Sequence, residues 1–358
     1  MRTYYWFITF ICITFISCAK PDYYSPDQVK YINTKGIYDS LKAELLPVSV
    51  LAPYQISFVD SLLVIMTKNP SEFISIFNTR SDSLIANICS EGRGPNEYMT
   101  PFSLKQYKTN ESGDRLLYVT NLIMVKPLNI TRSIRENEAV CENPVSIDTR
   151  YMDSFFLPRE SRFMKQHVTY DDPRDNIFYP PKYIYKNNST AKEYNIYPDV
   201  IKNISFPALP LSLYDGVVRV KPDLTKVIDA MGYLDIMNII ELPSGICTGV
   251  VEQDAYQFED LVHLSMDKLF ETIRYGVLDV SVTDEYIIVL YDGRNVNAAE
   301  NRTEALKPSL KIYNWEGDFL QGYHLSEPLR GIAYDENRQY VYGFDMEEHF
   351  YRYKLTIN

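Results

Sequence analysis

Alternation is the property of this chain that most restricts its fold. "YQISFVDSLLVIMTK" (Tyr54 to Lys68) sets Ile56 and Phe58 two apart, turns at Asp60-Ser61, and resumes with Leu63 and Ile65. "EFISIFNTRSDSLIANI" follows, turning at Arg80-Ser81-Asp82. The same order recurs in "DRLLYVTNLIMVKPLNI", "NIFYPPKYIYKNNSTAKEYNIYP", "DGVVRVKPDLTKVIDAM" and "SLKIYNWEGDFLQGYHL". A two-residue period gives a strand one buried face, and polar breaks between such runs are hairpin turns. Long runs with the 3.6-residue period of a helix are absent. Thirty Tyr and 17 Phe against 14 Gly agree with strands, and 20 Pro interrupt helices throughout.

The turn tips fall near Ser81, Asn129, Asn188, Asp223 or Met231, and Gly317. Most are separated by roughly 40 to 60 residues, a spacing typical of propeller repeats. The wider interval before Gly317 contains "VLDVSVTDEYIIVLYDG", a further strand pair that hides one repeat. A blade alone exposes its apolar faces, and a closed ring buries them. At about 50 residues per blade, the chain after residue 47 divides into six four-stranded antiparallel blades. Seven short blades or a pair of β-sandwiches fit the same strands. The terminal "FYRYKLTIN" alternates Tyr351 and Tyr353 and suits a last strand, with the N- and C-terminal strands sharing one blade.

The N-terminus sets the address. After Arg2, "TYYWFITFICITFIS" carries no charge and is too short to span a bilayer, which needs roughly 20 residues. A basic start, a short apolar run and small residues at its end form a secretory signal. The run ends at Ile16-Ser17-Cys18, which resembles the bacterial lipobox, with Phe15 in place of the usual Leu. The resemblance implies cleavage before Cys18 and acylation of its thiol, hence a protein held on a membrane. Residues 1–17 thus read as a lipoprotein signal, 18–47 as lipidated N-terminus and tether, with room for a short first strand inside it, and 48–358 as the propeller. The Ala19-Lys20-Pro21-Asp22 run lacks the acidic character of surface-export signals in Bacteroides-type bacteria, so the periplasmic and exposed sides of the outer membrane both stay open. Three "DSL" triplets at Asp39, Asp60 and Asp82 resemble the O-glycosylation motif of the same bacteria.

Three longer segments are similar to one family. "GRGPNEY" resembles the "GxGPxEY" turn after the first hairpin of TolB-like six-bladed β-propeller lipoproteins of Bacteroides-type bacteria. "VKPDLTKVIDAM" and "YIIVLYDGR…SLKIYNWEGDFLQGYHL" are similar to later segments of that family, in the same order. The resemblance covers most of residues 48–358 and carries no catalytic residue with it. From the residues themselves, Gly92 and Gly94 are read as positions for positive φ, Pro95 as a fixed φ and Glu97 as a backbone acceptor, together a rigid inter-blade connection.

Chemistry-bearing patterns are sparse. Cleavage before Cys18 removes Arg2 and no acid, so 35 cations face 47 acids, a net charge of −12 that repels nucleic acid. Cys89, Cys141 and Cys247 are far apart and match no zinc spacing; one disulfide or three thiols are the alternatives. His167, His263, His324 and His349 form no HExxH, and no P-loop or GxSxG elbow occurs. "DMEEH" (Asp345 to His349) reads as a turn. In "YDDPRDN", Asp171, Asp172 and Asp175 are weak Ca²⁺ candidates that lack the EF-hand order. The pairs Tyr183/Tyr185 and Tyr340/Tyr342 suit either sugar stacking or the seams between blades. The expectation is a cofactor-free, metal-free envelope module binding a protein or glycan on its loop face. The alternative is a glycan lyase or hydrolase with carboxylates at the channel, and one fold hosts both.

Overall fold

A computed structural model of the chain describes residues 24–36, 38–121, 123–147, 153–166, 169–170, 178–179, 182–196, 213, 215–261 and 264–357. Three short strands come first: β1 (Gln28–Ile32), β2 (Tyr38–Leu41) and β3 (Glu44–Leu45). Blade 1 is β4 (Pro53–Val59), β5 (Leu62–Thr67), β6 (Ile74–Asn78) and β7 (Ser83–Ile88). Blade 2 is β8 (Pro101–Thr109), β9 (Arg115–Asn121), β10 (Met124–Asn129) and the short β11 (Val145–Ser146), with helix α1 (Ile130–Glu136) before the last. Blade 3 is β12 (Asp153–Phe156), β13 (Arg162–Gln166), β16 (Lys182–Lys186) and β17 (Ala191–Tyr194), interrupted by a ribbon of β14 (Thr169–Tyr170) and β15 (Phe178–Tyr179). Blade 4 is β18 (Gly216–Val220), β19 (Lys226–Met231), β20 (Ile236–Glu241) and β21 (Cys247–Glu252).

Two helices, α2 (Phe258–Leu261) and α3 (Met266–Thr272), lead into blade 5. That blade is β22 (Val277–Val282), β23 (Tyr286–Tyr291), β24 (Ser309–Asn314) and β25 (Phe319–Leu325), with α4 (Val296–Glu300) between its middle strands. Blade 6 is β26 (Gly331–Asp335), β27 (Tyr340–Phe344) and β28 (Phe350–Lys354), completed by β3. The fold is the expected six-bladed propeller of four-stranded antiparallel blades. The ring closes as anticipated, with N- and C-terminal strands sharing blade 6 through Tyr351↔Leu45 and Arg352↔Glu44.

Over its described part, the segment read as a tether is more than a linker with one short strand. From Tyr24 the chain is already docked: the Ser25 amide donates to the Ile196 carbonyl at 2.8 Å and the Tyr24 hydroxyl to Asn238 Oδ1 at 2.6 Å. β1 then adds to blade 4 parallel to β21, β2 adds to blade 5 parallel to β25, and β3 finishes blade 6. One segment thus covers three outer edges whose backbone groups would otherwise lack ladder partners. Polar composition suggested a linker, but outermost edge strands keep one face in water and need few apolar residues.

One turn reading also changes. Asn129 is no hairpin tip: its side chain accepts from the Arg132 amide at 2.9 Å and caps α1, so the chain coils there. Of the two alternatives for the next tip, Asp223 lies in the β18–β19 turn and Met231 ends β19, beside the turn of residues 232–235 into β20. Gly317, at φ +76, makes the β24–β25 turn where an L side chain would be strained. The Asp60 and Asp82 triplets are also turn positions with positive φ, at 62 and 49.

The seams hold the core. Phe58 of β4 stacks on Tyr342 of β27 at 6.1 Å, joining blade 1 to blade 6. Tyr183 is fully buried and donates to Asp229 Oδ2 at 2.6 Å, where Lys165 also pairs at 2.6 Å, joining blades 3 and 4. Each large side chain buried this way stabilises the ring by roughly 1.5–3 kcal/mol. Tyr183 and Tyr342 therefore serve seams.

Candidate functional site

Six inner strands, β4, β8, β12, β18, β22 and β26, surround the axis. Their starts meet the connections from blade to blade on what we call the upper face, and their ends meet tight turns on the lower face. The axis is crossed by an ion triad. Lys105 of blade 2 donates to Asp279 Oδ2 of blade 5 at 2.5 Å, and Arg219 of blade 4 donates to Asp279 Oδ1 at 2.8 Å. Lys105 also donates to the Ile332 carbonyl of blade 6 at 2.8 Å, and the Ile332 amide donates to Asp279 Oδ2 at 2.9 Å. Arg219 adds bonds to the carbonyls of Val280 and Val218 at 3.0 and 2.7 Å. Four blades are tied at one point.

Local backbone irregularity aims Lys105 inward. The β8–β9 register slips between Ser103 and Tyr107, and Lys105 sits at φ +53, a conformation costly for a side-chain-bearing residue. The Lys105 amide donates to Ser103 Oγ at 3.0 Å, which supports the bulge. Burial pushes the Lys105 ammonium down to about 8, with Asp279 opposing that fall. Burial alone would raise the Asp279 carboxyl, but Lys105, Arg219 and the Ile332 amide outweigh it and hold it below the ordinary carboxylate range.

The triad divides the channel. Above it is a vestibule of about 180 Å³ reached by Tyr54, Phe102, Asp153, Asp279 and Arg330. Tyr54 and Phe102 also belong to an adjoining upper groove of about 730 Å³ between blades 1 and 2, with Phe73, Met99 and Ile123. Phe102 and Ile123 are 44% and 54% exposed there. The Tyr54 hydroxyl donates to the Pro101 carbonyl, and burial pushes its pKa up to about 12.

"GRGPNEY" forms the floor beside this groove, as the β7–β8 connection. The Gly94 amide donates to Glu97 Oε2 at 2.7 Å, and Lys126 of the next blade donates to the Gly94 and Glu97 carbonyls at 2.8 and 2.7 Å. Tyr98 is fully buried and donates to the Lys126 carbonyl at 3.1 Å. Neither Gly92 nor Gly94 is among the positive-φ glycines, against expectation. Space explains Gly92 instead: a Cβ there would meet the Glu97 carboxylate at 1.9 Å and displace the acceptor that organises the loop.

The other residues singled out from sequence do not converge. His324 stacks on Tyr38 at 5.0 Å, on the rim of blade 5. His349 faces Asp345 at 3.2 Å, in a turn where Asp345 Oδ1 accepts the Glu347 and His349 amides at 2.9 Å. Asp171, Asp172, Asp175, His167 and His263 lie outside the described residues. Among the described residues no group of three His, Cys, Asp or Glu is placed to hold a metal. Cys89, Cys141 and Cys247 are free thiols. Sequence reasoning missed Lys105, Arg219 and Asp279, although "GVVRV" and "VLDVSV" each carry one charge inside an apolar inner strand.

Two solved structures share this architecture. One is a protein of Bacteroides fragilis named as exported, with TM-score 0.57 and 11% identity over 92% of this chain and 99% of that one. The other is a member of the DUF4221 family from Bacteroides vulgatus, with TM-score 0.58 and 11% identity over 90% of this chain and 99% of that one. No curated protein matches the chain in sequence. The sequence model of the TolB-like 6-blade propeller-like family matches residues 32–337, from the girdling strand β1 to the turn after β26, and the chain belongs to that family.

Proposed function

We propose that this protein is a binding module of the cell envelope, anchored in the outer membrane through a lipid on Cys18. It holds a neutral glycan or a partner protein on its upper, loop-rich face. The observation that supports binding over catalysis is the state of Asp279. Glycan hydrolysis needs a carboxyl kept protonated as general acid and a second carboxylate at a defined separation. Asp279 is instead held ionised between two cations, as a tie across the ring. The open upper groove, with Phe102 and Ile123 exposed, offers apolar area for a ligand. Export is consistent with the name of the Bacteroides fragilis protein.

The test is a binding panel of envelope glycans and peptides on the full chain in detergent, without metal or nucleotide. Phe102→Glu and Ile123→Glu should weaken the bound ligand about tenfold or more while leaving the melting temperature within about 2 °C, since both residues are exposed. EDTA should not change the melting temperature. A fall of several degrees restored by Ca²⁺ would bring Asp171, Asp172 and Asp175 forward as ligands. Turnover of any glycan by the full chain, abolished by changing a channel carboxylate without lowering the melting temperature, would establish the enzyme.

A further inference from the structure

The lower mouth of the channel is basic in a chain whose net charge is −11. Its pocket of about 270 Å³ is walled by Lys105, Lys108, Arg219 and Lys221, with no acidic side chain among the described residues that line it. The triad is polarised: Asp279 borders the upper vestibule and not this pocket, and Lys105 the reverse. Two Lys105 N–H groups are taken by Asp279 and the Ile332 carbonyl. The third has no acceptor among the described residues. Lys108 has no acidic partner among them either, and its ammonium lies 5.8 Å from the Tyr118 ring centre.

Acids do stand at the rim: two are paired with cations, and Asp284 lies near Glu285 and Glu336. Asp60 pairs with Arg115 at 2.6 Å, Asp223 with Lys221, and Asp284 accepts the Asp223 amide at 2.9 Å. They leave the pocket floor attractive to one negative charge and the surroundings repulsive to a long polyanion. The remaining wall mixes apolar and aromatic side chains, Phe58, Val280, Leu224, Tyr334 and Tyr107, the last 44% exposed, with the polar Gln106, Thr109 and Ser281.

We propose that this mouth is a second binding site, taking a small amphipathic carboxylate such as one uronic acid residue. Its carboxylate meets the free N–H of Lys105 and the Lys108 ammonium, and its apolar face lies against Tyr107. The volume is near the lower end of small-molecule sites, roughly 300–1,000 Å³, and suits one sugar-sized group. This site is on the opposite side of the triad from the upper groove and stands whether or not that groove binds.

Calorimetric titration of the full chain in detergent tests it, with glucuronate, glucose and sulfate as probes. Glucuronate should bind saturably, at least about tenfold tighter than glucose or sulfate, and more weakly as salt rises. Lys108→Gln and Tyr107→Ala should each weaken glucuronate about threefold to tenfold with the melting temperature unchanged, because both side chains are exposed. Phe102→Glu in the upper groove should leave glucuronate unaffected. Absence of glucuronate binding would overturn the proposal, as would equal binding of glucose or indifference to Lys108→Gln and Tyr107→Ala. Sulfate binding as tightly as glucuronate would show a generic anion site and overturn it too. None of these failures would touch ligand binding that depends on Phe102.

Discussion

Asp279 has two cationic neighbours and two backbone donors, and that balance makes it hard to replace. Its own amide neighbour Val280 donates to Oδ1 at 2.8 Å, and Ile332 to Oδ2 at 2.9 Å. Asp279→Asn leaves Lys105 and Arg219 buried without a counter-ion, which costs about 3–5 kcal/mol. Urea unfolding should show it as a lower midpoint with an unchanged slope. The sign with pH follows from the depressed carboxyl. Its stabilisation is complete above the unfolded value near 3.9 and is lost as pH falls through the lower folded value. The stability gap between wild type and Asp279→Asn should therefore be flat from about pH 5 to 7 and close below about pH 4. A gap that widens on acidification would show that the carboxyl is protonated in the native state.

At the scale of elements, closure is the vulnerable step. β28 pairs with β27 on one side and β3 on the other, and Phe350 and Tyr353 are buried at 1% and 0% exposure. Arg352 adds a clasp, bonding both Asp82 oxygens of blade 1 at 3.0 Å and Glu44 of β3 through Nε at 2.8 Å. Deleting residues 350–358 removes two buried rings and two ladders. The loss of at least about 5 kcal/mol corresponds to a fall of 10 °C or more in melting temperature. Circular dichroism on the truncated chain measures it, and an unchanged melting temperature would mean that the ring is held elsewhere. Arg352→Ala should cost much less, about 1 kcal/mol, since Glu44 is exposed and water screens the pair.

For the whole molecule, docking from Tyr24 shortens the distance to any membrane. Six residue steps separate Cys18 from Tyr24, each spanning at most roughly 3.3–3.6 Å, so a lipid on Cys18 keeps the rim of blade 4 within about 20 Å of the bilayer. Cys18→Ala should release the protein from membranes or leave the precursor uncut. In the wild type, a spin label at the exposed Asp27 should be relaxed by lipid-head-group reagents, and one on blade 1 at Arg80 much less so. Equal relaxation at both positions would mean that the propeller floats free on a longer tether. The alternation of Ile56, Phe58, Leu63 and Ile65 was enough to announce hairpins, because strand faces and turn residues are local properties; their spacing favoured six blades but left seven, or a pair of sandwiches, open until the ring closed. The seam roles of Tyr183 and Tyr342 were legible as one of two choices. The shared closing blade was anticipated, but the attachment of residues 28–41 to blades 4 and 5 was hidden, since an edge strand gains its ladder from blades some 220 to 290 residues later and leaves little apolar trace in itself. The triad was hidden for the same reason: Lys105, Arg219 and Asp279 lie 114 and 60 residues apart (219 minus 105, 279 minus 219) and meet only when the ring closes around its axis.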